Sequence, residues 1–387
     1  MEQLKQSESQ KVHLFAWGLI ICNTLFFLCD SPTMGIRFYL PIFFFTLGCG
    51  IFSLFRYRLA MGIEHFTCLV LFVIIALHLN NSLVGFGEKN AALFSETVLI
   101  IFFFVFSLFK YNLRELRYLI NSLIIASTGF SILLFLFSFH LGQGHYTIRP
   151  FNGYYDYIDP NYLSSFMVIP CIILMKRAVF THKNLFAYIL FFVNVLAILL
   201  TGSRAAMLSL LIACGILCTV RRNFKVLFAV CIMLVSVISG VLLFLNMEVV
   251  ERLFIRSYVD GSNSLRVDYW VSHILFTLEY SPFIGFGLSG IQHGWELNTT
   301  SHSTFISLFA SFGLVGIVFI GVLLLKIAQS LLTKDTILFF ALFIAFLFVN
   351  QMIPASTSYS FWGILLIFCL VVRFKQNFPD ISLWDEL

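Results

Sequence analysis

Charged side chains are scarce in this sequence. Its 387 residues include 24 Lys and Arg and 19 Asp and Glu, together 11% of the chain. Hydrophobic residues make up 60%, and the mean hydropathy is +0.95. A water-soluble protein of this length could not bury that much apolar surface. The composition therefore excludes a soluble enzyme and predicts a polytopic membrane protein.

Several familiar motifs are also missing. No GxGxxG follows a strand, and there is no P-loop, no HExxH and no DxD pair for a sugar-nucleotide metal. Asp156 and Asp159 lie three residues apart in a loop, which is a weak metal signal. The nine cysteines lie in or beside apolar segments without metal-ligand spacing, which indicates small core residues. We therefore expect neither a metal nor another cofactor.

Long apolar segments are abundant. They recur at lengths of roughly 18–22 residues, which suit a hydrocarbon layer about 30 Å thick. The first residues, Met1 to Lys11, are polar and do not resemble a cleavable signal. We predict an all-α integral membrane protein with about twelve transmembrane helices. The predicted spans are 13–30, 34–55, 62–80, 91–109, 118–140, 161–175, 184–201, 203–220, 226–246, 302–325, 335–353 and 358–373.

The basic residues give these spans an orientation. With the N-terminus inside, 17 of the 24 Lys and Arg fall in cytoplasmic segments, and every cytoplasmic loop carries at least two. This is the positive-inside pattern, and it places both termini in the cytoplasm. The net charge of +5 is mostly this orientation signal and requires no nucleic-acid partner.

Seven basic residues do not follow that pattern, and six of the seven are arginines. A guanidinium offers a planar fork of donors that suits phosphate, although an arginine at membrane depth costs about 2.5–3.5 kcal/mol. Snorkelling, or pairing with Glu251, Asp260 or Asp268, would also explain each of them alone. For the group we favour an anionic ligand on the outer face. The seven are Arg37, Lys89, Arg149, Arg204, Arg252, Arg256 and Arg266.

The chain divides by these criteria into four parts. Residues 1–246 would hold helices 1–9, and 247–301 a large periplasmic loop with short amphipathic helices. Residues 302–373 would hold helices 10–12, and 374–387 a cytoplasmic tail. Segment 264–279 has helical spacing of apolar residues and should lie on the membrane surface or pack over the bundle.

Two residues of the outer side stand out. Arg204 lies between two long apolar runs, where topology does not explain it. His302 follows the large loop at the start of a span, where a lone histidine is often part of the interfacial belt. A neutral imidazole there could instead accept a proton from a hydroxyl, and a helix N-terminus would help to keep it neutral.

Four sequence blocks carry a resemblance to the O-antigen ligase and Wzy-type O-antigen polymerase superfamily. Residues 201–206 resemble its T-x-S-R-G/A element, and 264–287 resemble the R-x3-W…P-x2-G-x-G stretch of its periplasmic loop. Residues 302–316 fit H-[N/S/Q]-x9-G-x2-G, with Ser303 where Asn is more frequent. Arg149 with Asp159-Pro160-Asn161 resembles its R…x-P-N segment. The resemblance covers about 149–316, and the first five spans match only in general character.

The resemblance implies a GT-C-like membrane glycosyltransferase. Its donor is a glycan on undecaprenyl pyrophosphate at the periplasmic face of the bacterial inner membrane. Arg204 and Arg266 would stabilise the leaving pyrophosphate without a metal, and His302 would deprotonate the acceptor hydroxyl. Tyrosines of the first outer loop could stack on sugars, or belong to the aromatic belt. The expected substrate-binding residues are Arg149, Arg252, Arg256, Tyr154, Tyr155, Asp159, Asn161 and Trp270.

Two enzymes share this site plan, and they differ in the acceptor. A polymerase uses a lipid-linked repeat, and a ligase uses the lipid A-core. We favour the polymerase because the Arg149…Asn161 segment resembles polymerase-type members. Membrane lipids and a chain-length regulator are further expected partners. A lipid-linked oligosaccharide flippase is the alternative of another class, but its arginines should lie at mid-membrane in both halves.

Overall fold

The structure is a computed structural model that describes residues 11–25, 36–80, 88–140, 160–181, 184–201, 203–222, 262–287, 301, 303–352 and 359–386. Every regular element in these ranges is a helix. A six-residue π-helix, Lys176–Thr181, follows α6. The α-helices are α1 (Leu14–Thr24), α2 (Ile36–Leu54), α3 (Ile63–Asn80), α4 (Glu88–Ser107), α5 (Leu113–His140), α6 (Pro160–Met175), α7 (Leu185–Leu200), α8 (Arg204–Val220), α9 (Ser262–Tyr280), α10 (Thr304–Leu331), α11 (Ile337–Gln351), α12 (Tyr359–Asn377) and α13 (Leu383–Glu386).

The predicted all-α fold is confirmed for the described residues. Eleven of the twelve predicted spans coincide with a helix, and the twelfth, 226–246, lies outside the described residues. Two helices, α10 and α12, are long and apolar enough by themselves to cross a membrane. The other apolar helical stretches among the described residues are shorter, with 10–17 residues, and several of them are parts of longer helices. The exact number of spans stays a prediction.

Helix α5 begins five residues before the predicted span at 118, because a capping box fixes its start. Asn112 Oδ1 accepts from Glu115 N–H at 2.9 Å, and Glu115 Oε2 accepts from Asn112 N–H at 2.9 Å. The second carboxylate oxygen, Oε1, accepts from the backbone N–H of His13 at 2.7 Å. One buried carboxylate thus starts α5 and ties it to the beginning of α1.

A second polar cluster joins α3, α4 and α12 at the same end of the bundle. Arg373 pairs with Glu64 and donates to the carbonyl of Ser107. His65 Nδ1 accepts from Gly62 N–H at 2.9 Å, so its Nε2 donates to Ser107 Oγ at 3.0 Å. Since that nitrogen carries the proton, His65 cannot act as a base toward the Ser107 hydroxyl, and the cluster is a structural clamp.

The short helix α13 closes this end. The guanidinium of Arg221 lies 3.8 Å from the ring centroid of Trp384, and the ammonium of Lys176 lies 5.4 Å from the same centroid. Glu386 pairs with Arg117 at the start of α5. The tail that we predicted from 374 is therefore partly helical, and it ties α5, α8 and the π-helix together.

Polar contacts also hold the middle of the bundle. Asn194 of α7 accepts from Ser127 and Ser131 of α5 and donates to Thr128 Oγ1 at 3.1 Å. Side-chain hydrogen bonds of this kind hold helices together in lipid, where apolar side chains gain little by leaving the lipid tails. The phenylalanines fill the remaining space or face outward, with Phe102 and Phe103 fully buried.

Helix α10 positions the opposite end. It packs against α3, α9 and α11. Thr67 Oγ1 near one end of α3 reaches the carbonyl of Phe319 at 3.5 Å, and a Cβ at Gly316 would lie 3.4 Å from Leu71. The two helices therefore run antiparallel, and the start of α10 lies at the end of the bundle remote from the Arg373 cluster.

Candidate functional site

A break in α10 is filled by the loop that follows α9, of which residues 281–287 are described. Gly313 has φ 63° and ψ −163°, so the helical hydrogen bonding is interrupted there. Leu314 N–H donates to the carbonyl of Pro282 at 2.8 Å, and Val315 N–H donates to that of Phe283 at 3.1 Å. In return, Phe286 N–H donates to the carbonyl of Ala310 at 2.8 Å. The loop thus satisfies backbone groups that the broken helix leaves open.

Glycine is required at this junction for reasons of space and conformation. Gly285 and Gly313 both have positive φ, and a Cβ on either would lie 2.5 Å from a carbonyl oxygen of the other segment. Only a residue without a Cβ permits so close an approach. The P-x2-G-x-G stretch and the first glycine of the H-S-x9-G-x2-G element, which looked like separate motifs, are two halves of one contact.

The structure adds a residue that sequence reasoning missed. His78, in the last turn of α3, is 4% exposed, and its Nε2 lies 3.1 Å from the carbonyl oxygen of Gly285. Ser281 Oγ donates to the same oxygen at 2.7 Å. A lone histidine near the end of a predicted span gives no signal in the sequence, because the partner lies 207 positions away.

Arg204 is the first residue of α8, and its side chain is exposed. Thr201 and Ser203 build the turn in front of it: Ser203 N–H donates to Thr201 Oγ1 at 3.3 Å, and Ser203 Oγ caps α8 by accepting from Ala206 N–H at 3.4 Å. A cation at a helix N-terminus opposes the helix dipole, whereas an anion there is favoured. The T-G-S-R block therefore combines an unfavourably placed guanidinium with backbone N–H groups that suit an anion.

Arg266 and Trp270 lie one turn apart on α9. Both side chains are half-buried, and the spacing of four places them on one face. The Trp270 Nε1–H group is buried and has no hydrogen-bond partner among the described residues. The predicted helix over 264–279 is confirmed and is slightly longer, 262–280, so the described part of the large loop forms one helix of 19 residues.

On α9, the face toward the protein carries polar side chains and much of the exposed face is apolar, which is the reverse of a helix on the surface of a soluble protein. The face with Arg266 and Trp270 continues through His273 and Thr277, which are buried. The opposite face exposes the apolar side chains of Val267, Val271, Leu275 and Leu278. Asp268 and Glu279 are exposed beside this apolar stripe, and an apolar outer stripe with charged neighbours suits a helix at the membrane interface. Arg266 therefore points toward the protein side of this helix.

His302 lies outside the described residues, but the residues beside it are well anchored. Ser303 is the N-cap of α10, and its Oγ accepts from Ile306 N–H at 3.4 Å. Ser301 Oγ donates to the carbonyl of Ser303 at 2.9 Å and meets Ser307 Oγ at 2.8 Å. Thr304 Oγ1 donates to Asn350 of α11 at 3.4 Å. Residue 302 immediately precedes the cap of the broken helix.

One of the remaining predicted site residues lies in a described helix. Asn161 lies in the first turn of α6, and its side chain is not among those described. The joining of Arg204, Arg266 and His302 into one site stays a prediction. Besides His302, the predicted site residues outside the described ranges are Arg149, Tyr154, Tyr155, Asp159, Arg252 and Arg256.

Comparison with known proteins gives a match to the segment of the chain that contains these contacts. Residues 189–321 match the model of the Wzy_C family, described as O-antigen ligase. The match includes Arg204, Arg266, the loop after α9 and the break in α10, and it confirms the predicted resemblance for that segment. No curated protein matches the chain. The family is an integral membrane family, and the match supports a membrane enzyme of O-antigen or polysaccharide assembly.

Proposed function

We propose that this protein is a glycosyltransferase that moves a glycan from undecaprenyl pyrophosphate to an acceptor sugar at the periplasmic face of the inner membrane. The observation that carries the proposal is the match over 189–321, within which α9 and the broken α10 are joined by a loop. Both termini would lie in the cytoplasm. The end of the bundle with the loop after α9 would then be periplasmic.

The chemistry follows from the charge that develops in the reaction. Breaking the bond between the sugar and pyrophosphate adds a negative charge to the leaving pyrophosphate, and fixed cations in a partly dry site stabilise that charge. Arg204 and Arg266 would supply that charge, so transfer should need no metal ion. His302 would take the proton of the attacking hydroxyl.

The proposed acceptor is a lipid-linked repeat, so the enzyme would be a surface-polysaccharide or O-antigen polymerase. The motif with Arg149 and Asn161 supports this choice. The ligase is the second candidate, and the description of the matching family favours it. A chain-length regulator would accompany the polymerase, whereas the ligase would act on the lipid A-core.

Deletion of the gene tests both candidates on one gel of extracted lipopolysaccharide. A polymerase deletion leaves lipid A-core capped with a single repeat, because the host ligase still acts. A ligase deletion leaves bare core, while long polymer accumulates on undecaprenyl pyrophosphate. We expect the single-repeat pattern, or loss of high-molecular-weight capsule in a host without lipopolysaccharide. An unchanged glycan pattern would contradict both assignments.

The purified enzyme provides the test of metal independence. With extracted lipid-linked glycan as substrate, transfer should continue in EDTA at the rate seen without it. Strict dependence on magnesium or manganese would show that carboxylates such as Asp156 and Asp159 hold a metal ion.

A further inference from the structure

The ring of His78 lies against the carbonyls of Gly285 and Ile284, and of its two nitrogens only Nε2 has a hydrogen-bond partner among the described residues. The carbonyl of Gly285 can only accept, so Nε2 carries a proton and donates to it at 3.1 Å. In the neutral ring, Nδ1 is then an acceptor. This atom is buried and has no partner among the described residues. The contact with the loop therefore uses one of the two ring nitrogens, Nε2.

Nδ1 faces Gly287, the last described residue of the loop after α9. A Cβ at Gly287 would lie 3.4 Å from Nδ1, and Gly287 has φ 68°. A side chain at position 287 would therefore be in van der Waals contact with Nδ1.

A second buried polar atom lies beside the same loop. Ser311, in the turn of α10 before the break, is 1% exposed, and its hydroxyl has no hydrogen-bond partner among the described residues. Its backbone borders Gly285 closely, since a Cβ there would lie 2.6 Å from the Ser311 carbonyl carbon. Leaving a buried polar group unsatisfied is energetically unfavourable. Two such groups around one loop indicate a place where a polar ligand completes the hydrogen bonding.

The position of His78 fits a role in the transfer site. Helix α3 lies outside the matched segment 189–321, whereas Gly285, Gly287 and Ser311 lie within it. The fold therefore brings a side chain from the first part of the chain to the segment that resembles the known family. A neutral imidazole acceptor suits a hydroxyl group and does not suit a phosphate oxygen, which is itself an acceptor.

We propose that His78 is a substrate-binding residue whose Nδ1 accepts a hydrogen bond from a hydroxyl of the acceptor sugar, while its Nε2–H holds the loop in the break of α10. This assignment rests on the proposed function. His78 would thus bind the neutral acceptor sugar, in addition to the roles proposed for Arg204, Arg266 and His302.

Two amide substitutions separate the two halves of the ring. In His78→Gln, the side-chain amide nitrogen can take the place of Nε2 and donate to Gly285, but the acceptor at Nδ1 is lost. In His78→Asn, the shorter amide can place an acceptor near Nδ1, but it cannot reach Gly285. The probes are lipid-linked single repeats and lipid A-core, extracted from the deletion strain, with the donor held at saturation.

For His78→Gln we expect a melting temperature close to the wild type, and a KM for the acceptor raised roughly three- to tenfold, the effect of one neutral hydrogen bond. The KM for the donor should stay within about twofold, because the phosphate contacts are untouched. For His78→Asn we expect a lower melting temperature and a smaller rise in acceptor KM. This crossed pattern would support the proposal.

The opposite ordering would overturn it. If His78→Gln matches the wild type in every measurement while His78→Asn loses stability and activity together, His78 only anchors the loop. That result would leave the proposed function intact, since the wild-type protein would still transfer glycan. A wild-type protein with no transfer to either acceptor would instead remove the proposed function, and the role of His78 with it.

Discussion

The two ends of the bundle use polar residues in different ways. At one end, Arg373 pairs with Glu64 and Arg117 pairs with Glu386. At the same end, the carboxylate of Glu115 caps α5. At the end with the broken α10, glycines replace side chains and buried polar atoms of His78 and Ser311 have no described partner.

The difference separates structural from functional polarity. A buried charge that pairs inside the protein fixes helices against each other, and its loss leaves the partner charge uncompensated. A buried polar atom without a partner costs free energy, and a bound ligand is one explanation for it. Asn112 Nδ2 at the first end is such an atom as well. We therefore expect changes at the first end to alter stability at constant activity, and changes to the candidate ligand-binding side chains at the second end to alter activity.

The largest effect is expected at His302. His302→Ala should lower transfer by about 10²- to 10⁴-fold, the usual contribution of a general base, while the protein accumulates normally. His182→Ala, in a predicted cytoplasmic loop, is the matched control and should keep wild-type activity. Banding of surface polysaccharide in a complemented deletion strain measures both. Wild-type banding from His302→Ala would rule out the base.

The arginines should follow. Arg204→Lys and Arg266→Lys keep the charge but lose the planar fork, so each should lower transfer roughly ten- to a hundredfold, a loss of 1.5–3 kcal/mol in a charged hydrogen bond. Arg58→Lys, an exposed residue between α2 and α3, is the control and should have no effect. If both test variants behave like this control, the arginines do not bind phosphate.

The glycine contact can be tested within one helix. Gly313→Ala should destabilise the protein by a few kcal/mol, because φ 63° with ψ −163° is a conformation nearly restricted to glycine, costing other residues about 1–3 kcal/mol, and because the new Cβ would meet Phe283. Gly321→Ala, in the same helix with open space around the new Cβ, should be neutral or gain about 0.5–1 kcal/mol. Thermal unfolding in detergent compares them. Equal melting temperatures would contradict the docking of the loop at Gly313.

The smallest effect concerns Lys176 at the opposite end. Burial lowers its pKa from 10.5 to about 8, with Arg177 and Arg221 adding to the shift and Asp385 and Glu386 opposing it. The unfolded chain then binds more protons than the folded protein between pH 8 and 10.5, so stability should rise with pH in that window. Lys176→Met should flatten this rise in melting temperature and leave transfer unchanged. Parallel pH curves for the two proteins would show that Lys176 has no such shift.

The sequence alone determined the helical class and the approximate position of each described helix. Apolar runs fix helix positions because unsatisfied backbone is too costly in lipid, which is why eleven predicted spans coincide with helices. It also singled out Arg204, Arg266 and Trp270 as candidate site residues, because a cation or an indole within apolar sequence is visible locally, and their roles stay predictions. The longer α5 was missed, since its start depends on the reciprocal pairing of Asn112 and Glu115.

Only the tertiary structure decided which distant residues meet. The break at Gly313 became meaningful once the carbonyls of Pro282 and Phe283 were found to fill it. His78 became a candidate because α3 brings it to Gly285, 207 positions along the chain. Local sequence records hydropathy and charge at each position, but a hydrogen bond between remote segments depends on the packing of whole helices, which no local pattern encodes.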